Sequence, residues 1–170
     1  MRPTRYALPE EILLREAGTA DDRFRALLLR EINKVNYQAA PGSFNFNNKR
    51  EMVRILLCLQ LVEVYNYPLQ QIRIEVLVPK THPRQRADVV VYMNEARTQP
   101  FLVFECLKPG ASFAELNRSV LRVIHQAKIL GAEYAIVTSG SVRKVVKVAD
   151  CRGAVIPRSA WQEDWPAATA

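Results

Sequence analysis

Arg86-Ala87-Asp88-Val89-Val90-Val91-Tyr92 and then Phe101-Leu102-Val103-Phe104-Glu105-Cys106-Leu107-Lys108-Pro109-Gly110 are the stretches on which the fold turns. Each carries a run of β-branched and aromatic residues of strand length. Asn94 to Thr98 lies between them as a turn. Just upstream, Ile72-Arg73-Ile74-Glu75-Val76-Leu77-Val78 alternates with a period of two, as a strand does. Three strands joined by short loops predict an antiparallel meander over 72–78, 86–92 and 100–106.

Working outward, the period changes. Phe113 to Leu130 sets Phe113, Leu116, Val120, Ile124 and Ala127 on one helical face, and Gly131 follows as a C-terminal stop. Tyr134 to Thr138 is a short buried strand, Ser139-Gly140 a turn, and Val142 to Val148 a further strand. Upstream, a helix runs from Lys49 to about Val64 and ends at Tyr67-Pro68. Its apolar residues (Met52, Val53, Ile55, Leu56, Leu57, Leu59 and Leu61) cover most of its circumference, so it is buried on several sides. An earlier helix starts at Thr19-Ala20-Asp21-Asp22, with Phe24, Leu27, Leu28, Ile32 and Val35 on its apolar face. Pro41-Gly42-Ser43 breaks it before a loop holding Phe44 and Phe46. Residues 1–20 read as an arm with one short helix around Glu10 to Glu16, 21–160 as a single domain, and 161–170 as a loosely held tail. Helices, three strands, a helix and then two or three strands predict an α/β fold with a mixed sheet flanked by helices.

The chain has 170 residues, 49% of them hydrophobic, which suffices for one core without disulfides or metals as staples. Lys and Arg number 24 against 17 Asp and Glu, a net charge of +7 that favours an anionic partner such as nucleic acid. Cys58, Cys106 and Cys151 are far apart and form no Cys-x-x-Cys pair, so neither a zinc cluster nor a disulfide framework is expected. Reduced thiols and an N-terminus without an apolar leader point to the cytoplasm. No apolar run approaches the roughly 20 residues of a membrane span.

Asp88 near the start of one apolar strand and Glu105 at the end of the next are separated by 16 residues, room for a hairpin. Two carboxylates on adjacent strands can converge on one divalent cation. Magnesium takes hard oxygen ligands and keeps several waters, so two carboxylates suffice. The alternative for Asp88 is a turn residue bonding local amides. An unpaired carboxylate closing so apolar a strand as that of Glu105 would be costly. Asn48 and Glu51 have the spacing of a capping box. Lys80-Thr81-His82-Pro83-Arg84-Gln85-Arg86 is a basic loop leading to Asp88. Arg118, Arg122 and His125 form a basic stripe at helical spacing, and Arg143, Lys144 and Lys147 another cluster. Each could contact phosphates or only water.

Arg-Ala-Asp with an apolar strand, then an apolar strand ending Glu-Cys-x-Lys-Pro-Gly, resembles the nuclease signature of type I restriction enzyme R subunits, in the PD-(D/E)xK superfamily. The likeness extends through Glu51-x-Val53-Arg54, Tyr67-Pro68, Ile72-x-Ile74-Glu75, Gln126 and Tyr134-Ala135-Ile136-Val137-Thr138-Ser139-Gly140, roughly residues 48 to 148. It implies a restriction-endonuclease-like fold and Mg²⁺-dependent hydrolysis of DNA, with Mn²⁺ as a substitute. Asp88 and Glu105 would bind the metal, with Glu51 in support. Lys108 and Gln126 would assist catalysis. Lys80, His82, Arg84, Arg86, Arg118 and Arg122 would hold DNA. The family places a lysine two residues after the glutamate, where this chain has Leu107. A tyrosine expected four after Gln126 is Leu130. On a regular strand Lys108 faces away from Glu105, and a bulge would be needed to bring it back. The rival expectation is therefore a nuclease-fold module that has lost catalysis and binds nucleic acid or a partner subunit. No Gly-x-x-x-x-Gly-Lys-Ser/Thr loop occurs, so motor or recognition subunits are expected as separate chains, and a homodimer is compatible with the domain.

Overall fold

The computed structural model describes residues 48–168. The arm at 1–20, the helix beginning near Thr19 and the loop with Phe44 and Phe46 lie outside the described residues. Helix α1 (Lys49–Glu63) begins at Asn48, whose side chain accepts N–H bonds from Arg50 and Glu51. Strands β1 (Ile72–Val78), β2 (Gln85–Tyr92) and β3 (Pro100–Cys106) form the expected meander. Helix α2 (Phe113–Leu130) opens on a Ser112/Glu115 capping box and closes at Gly131, whose φ of 76° is the left-handed turn that glycine makes at little cost. Then come β4 (Tyr134–Thr138), β5 (Arg143–Lys147) and β6 (Trp161–Gln162).

The six strands form one sheet in chain order. Every neighbouring pair is antiparallel except β3 and β4, which run parallel because α2 carries the chain back across the sheet between them. Helices cover both faces. Val53, Leu57, Cys58 and Leu61 of α1 pack on Val89, Val91, Leu102, Phe104, Cys106, Ile136 and Val145. Leu116, Val120, Val123, Ile124 and Ala127 of α2 pack on Val90, Val103, Ala135, Val137 and Val146. This is the mixed sheet with flanking helices that the restriction-endonuclease-like expectation required.

The segment expected to be a loose tail is tied to the core as far as residue 168, through Trp165 and Ala168. Trp161 and Gln162 add β6 to the sheet edge, and Trp165 is 3% exposed. Its ring meets Phe104 edge-on at 5.0 Å and Tyr65 at 4.6 Å, with the Arg143 guanidinium 4.3 Å from its centre. The Ala168 amide donates to Tyr65 O, and the Tyr67 hydroxyl donates to Pro166 O. The end of α1 is thus strapped to the sheet by the C-terminal residues.

One irregularity matters for the site. In β1, Ile72 and Ile74 face α1, yet Val76 and Val78 face α2. In β2, Val89 faces α1 but Ala87 faces α2. Residues two apart should share a face, so the hairpin twists between these positions. The register passes from Ile74↔Val89 to Val76↔Ala87, and Glu75 between them has φ 52°. A non-glycine residue held there costs about 1–3 kcal/mol, and such strain clusters at functional sites. Opposite Glu75 in that register stands Asp88.

Candidate metal centre and its arginines

Asp88 and Glu105 are 4% and 2% exposed. Following the register Val89↔Phe104, they stand opposite one another on β2 and β3. The Arg50 Nη2 atom lies 2.8 Å from both oxygens of Asp88 and 3.6 Å from Glu105 Oε1, so the two carboxylates face one point. Asp88 Oδ2 also accepts the Cys106 amide at 2.7 Å, which fixes its orientation. Arg122 of α2 donates to Glu105 and to Ser119 Oγ. Burial, and then the charge of Asp88, hold the Glu105 carboxyl above the usual carboxylate range. Burial opposes the charge of Arg50, but Asp88 and Glu105 together outweigh it and keep the guanidinium above its ordinary value.

The raised pKa of Glu105 has a consequence for stability. For an acid whose pKa rises on folding, the native state favours the neutral form. The contribution is full below the ordinary glutamate range and is lost as pH rises through the raised value. At neutral pH the charge of Glu105 therefore opposes folding. Glu105→Gln, melted at pH 7 in EDTA, is expected to be at least as stable as wild type, and more stable by roughly a few degrees. A melting point several degrees lower would mean that its ion pairs outweigh its burial.

The other expected site residues are placed less directly. Glu51 bonds Arg54, whose second terminal nitrogen bonds Glu75 and approaches Asp88 Oδ1 at 3.9 Å. Glu51 is therefore linked to Asp88 through an arginine. Among the described residues no group of three or more His, Cys, Asp and Glu converges as a metal cage. Lys108 pairs with Glu115, its Nζ 4.0 Å away, rather than with Asp88 or Glu105. The β3–β4 register runs unbroken from Leu102↔Tyr134 to Cys106↔Thr138, and Lys108 lies just beyond it, lining the cleft with Glu105. Leu107 keeps the parity of Glu105 and packs into the α2 cluster. Gln126 is 1% exposed and donates to Gln85 Oε1 at 3.1 Å, while its own Oε1 is buried without a partner.

Of the residues expected to hold DNA, Lys80, His82, Arg84, Arg86 and Arg118 are exposed. Arg86 also donates to Glu75 O at 2.8 Å, which ties the basic loop to the strained corner. Arg122, expected on a basic stripe facing DNA or water, is exposed and also engaged with Glu105. Arg50 and Arg54 join the site without being marked as site residues by the sequence pattern. Their spacing of four on one helix, flanking Glu51, was the available signal. The cysteines are free and buried, and burial pushes the Cys58 thiol up to about 12 and the Cys106 thiol well up, so both are inert packing groups.

Beyond the end of β3 an open cleft of about 490 Å³ is lined by Asn48, Lys49, Arg50, Glu105, Leu107, Lys108, Ala111, Glu115 and Arg122. Glu105 opens on this cleft and Asp88 lies behind it, joined to it through Arg50. Two buried carboxylates that share a cation suit a hard divalent ion, and the open side leaves room for water ligands. The basic side chains around the mouth suit a polyanion. No helix among the described residues is long and apolar enough to cross a membrane.

No curated protein and no solved structure matches the chain. The family model described as "Type I restriction enzyme R protein N terminus (HSDR_N)" matches residues 49–156, which hold both helices, the meander, the crossover, β5 and every side chain of the paired-carboxylate centre. The chain belongs to that family.

Proposed function

We propose that this domain is a divalent-metal-dependent DNA endonuclease module of restriction type. One observation carries the proposal: two buried carboxylates from adjacent strands meet on a single cation at the edge of a basic cleft. Asp88 and Glu105 would hold Mg²⁺, with Mn²⁺ as a substitute, and the ion when bound acidifies a water and offsets charge on the phosphate. Lys49, Lys108 and Arg122 line the cleft and would hold the DNA backbone, and the exposed loop from Lys80 to Arg86 would extend that contact. Such contacts position DNA without reading its sequence. Sequence specificity would come from elsewhere in a restriction assembly, as the family's description as a restriction enzyme R protein suggests.

A second reading has its own support. Leu107 packs into the core, Lys108 turns to Glu115, and arginines neutralise the carboxylates. This favours a nuclease-fold module that binds DNA or a partner without cutting.

The two part in a metal titration and a plasmid assay. The wild type is expected to bind Mn²⁺ and to nick supercoiled plasmid in Mg²⁺ but not in EDTA. Asp88→Ala is expected to lose roughly tenfold or more in Mn²⁺ affinity, the scale of losing one of two charged ligands, and to nick no more than the EDTA control. A wild type that retains DNA at low salt yet neither binds Mn²⁺ nor nicks establishes the second reading. Absence of both metal and DNA binding sinks the two together.

A further inference from the structure

Phosphodiester hydrolysis gains from a fixed cation facing the oxygens on which charge accumulates. Leu107 offers none, and Lys108 is drawn to Glu115. Arg50 is the guanidinium that touches both carboxylates of the centre, at 2.8 Å and 3.6 Å from one nitrogen. Arg122 is comparably exposed but bonds only Glu105 of the pair, with Ser119 beside it, and Arg54 is held by Glu51 and Glu75 with its side chain only 11% exposed. The Arg50 side chain is 50% exposed, springs from the first turn of α1, and lines the cleft. It can leave the carboxylates without unpacking the core.

We infer that Arg50 is the catalytic cation of this centre. It holds Asp88 and Glu105 together in the metal-free protein, then turns into the cleft to bind non-bridging oxygens of the scissile phosphate when a divalent ion takes its place. The inference deepens the nuclease proposal and rests on it. A divalent ion and a guanidinium cannot share one point between two carboxylates, because their charges repel. Displaced, the planar guanidinium can span two phosphate oxygens, which an ammonium does less well. In the reaction a water oxygen bonds to phosphorus and the bond from phosphorus to the leaving sugar oxygen breaks. The water releases a proton to solvent and the leaving oxygen gains one. Arg50 stays protonated throughout and only offsets charge.

The test uses the full chain as Arg50→Gln and Arg50→Lys, with Mn²⁺ affinity measured by electron paramagnetic resonance and plasmid nicking measured with enzyme in excess. Arg50→Gln is expected to bind Mn²⁺ several-fold more tightly, since a competing cation is gone, while nicking about 10²-fold more slowly. Arg50→Lys is expected to recover part of the nicking, with Mn²⁺ affinity nearer wild type. A structural role would lower affinity and nicking together, and that result in a variant melting like wild type overturns the inference. So does nicking by Arg50→Gln at the wild-type rate. Should Arg50→Gln fail to fold, Arg50→Lys decides alone: wild-type nicking with unchanged Mn²⁺ affinity overturns the inference, and slower nicking with tighter Mn²⁺ binding supports it. A wild type that does not nick at all removes the nuclease proposal and this inference with it. A wild type that nicks beside an equally active Arg50→Gln removes the inference alone.

Discussion

Leu107→Lys is expected to raise plasmid nicking about 10²-fold in an Arg50→Gln background, and far less in the wild-type background. Position 107 has the strand parity of Glu105 and lines the same cleft. A lysine there can lay its aliphatic stem along the α2 cluster that Leu107 now touches and project its ammonium into the cleft. The benefit depends on whether a cation already serves the site. Proton-transfer and electrostatic assistance of this kind is worth roughly 10²–10⁴ in rate. If Arg50 supplies it, a second cation adds little in wild type and restores much of what Arg50→Gln loses. The four proteins form a double-mutant cycle whose coupling isolates this exchange from general damage. A large gain in wild type would mean that the site lacks its cation and that Arg50 is a plug between two carboxylates. Equal small effects in both backgrounds would mean that neither position acts on the reaction.

The same residues show where sequence is legible and where it is not. Val89-Val90-Val91 and Leu102-Val103-Phe104 announce strands because local preference and tertiary burial agree there. Asp88 and Glu105 stand out because a carboxylate inside such a run needs a reason. The arginines do not stand out. Arg50, Arg54 and Arg122 lie on helices where a charged residue ordinarily meets water, and only the packing of α1 and α2 against opposite faces aims them at the strand ends. Sequence does not place Lys108 for the same reason, since whether a strand bulges before Pro109 depends on its tertiary pairing. The left-handed backbone at Glu75 carries no glycine to mark it. The hairpin twist beside Asp88 therefore has no sequence mark, although the strand that holds Glu75 does. Gln126 could be read equally as a surface amide or a site residue, and burial removed the first of these.

Trp165→Ala is expected to destabilise the domain by about 3–5 kcal/mol, the cost of truncating a buried Trp to Ala. For a chain of this length that lowers the melting temperature on the order of 10 °C. The size follows from what the ring touches: Phe104 at the centre of the sheet, Tyr65 just past α1, and Arg143 of β5. Its indole nitrogen is buried without a partner, so its packing and the cation above it carry the effect, and no hydrogen bond is lost. Trp165→Phe should therefore recover most of the stability. The functional effect should be indirect. Trp165 and the neighbouring contacts of Tyr65 and Tyr67 anchor the C-terminal end of α1, whose first turn presents Arg50 to the carboxylates. Loosening one end of a helix blurs the position of the other, and an error near 1 Å in a positioned group can cost about 10² in rate. At a temperature where Trp165→Ala remains folded, nicking is expected to fall while Mn²⁺ affinity, which on the proposed function depends on Asp88 and Glu105 of the sheet, changes little. A melting point within about 2 °C of wild type would return residues 161–168 to the status of a loose tail, and an equal loss of metal affinity would show that the strap positions β2 and β3 as well as α1.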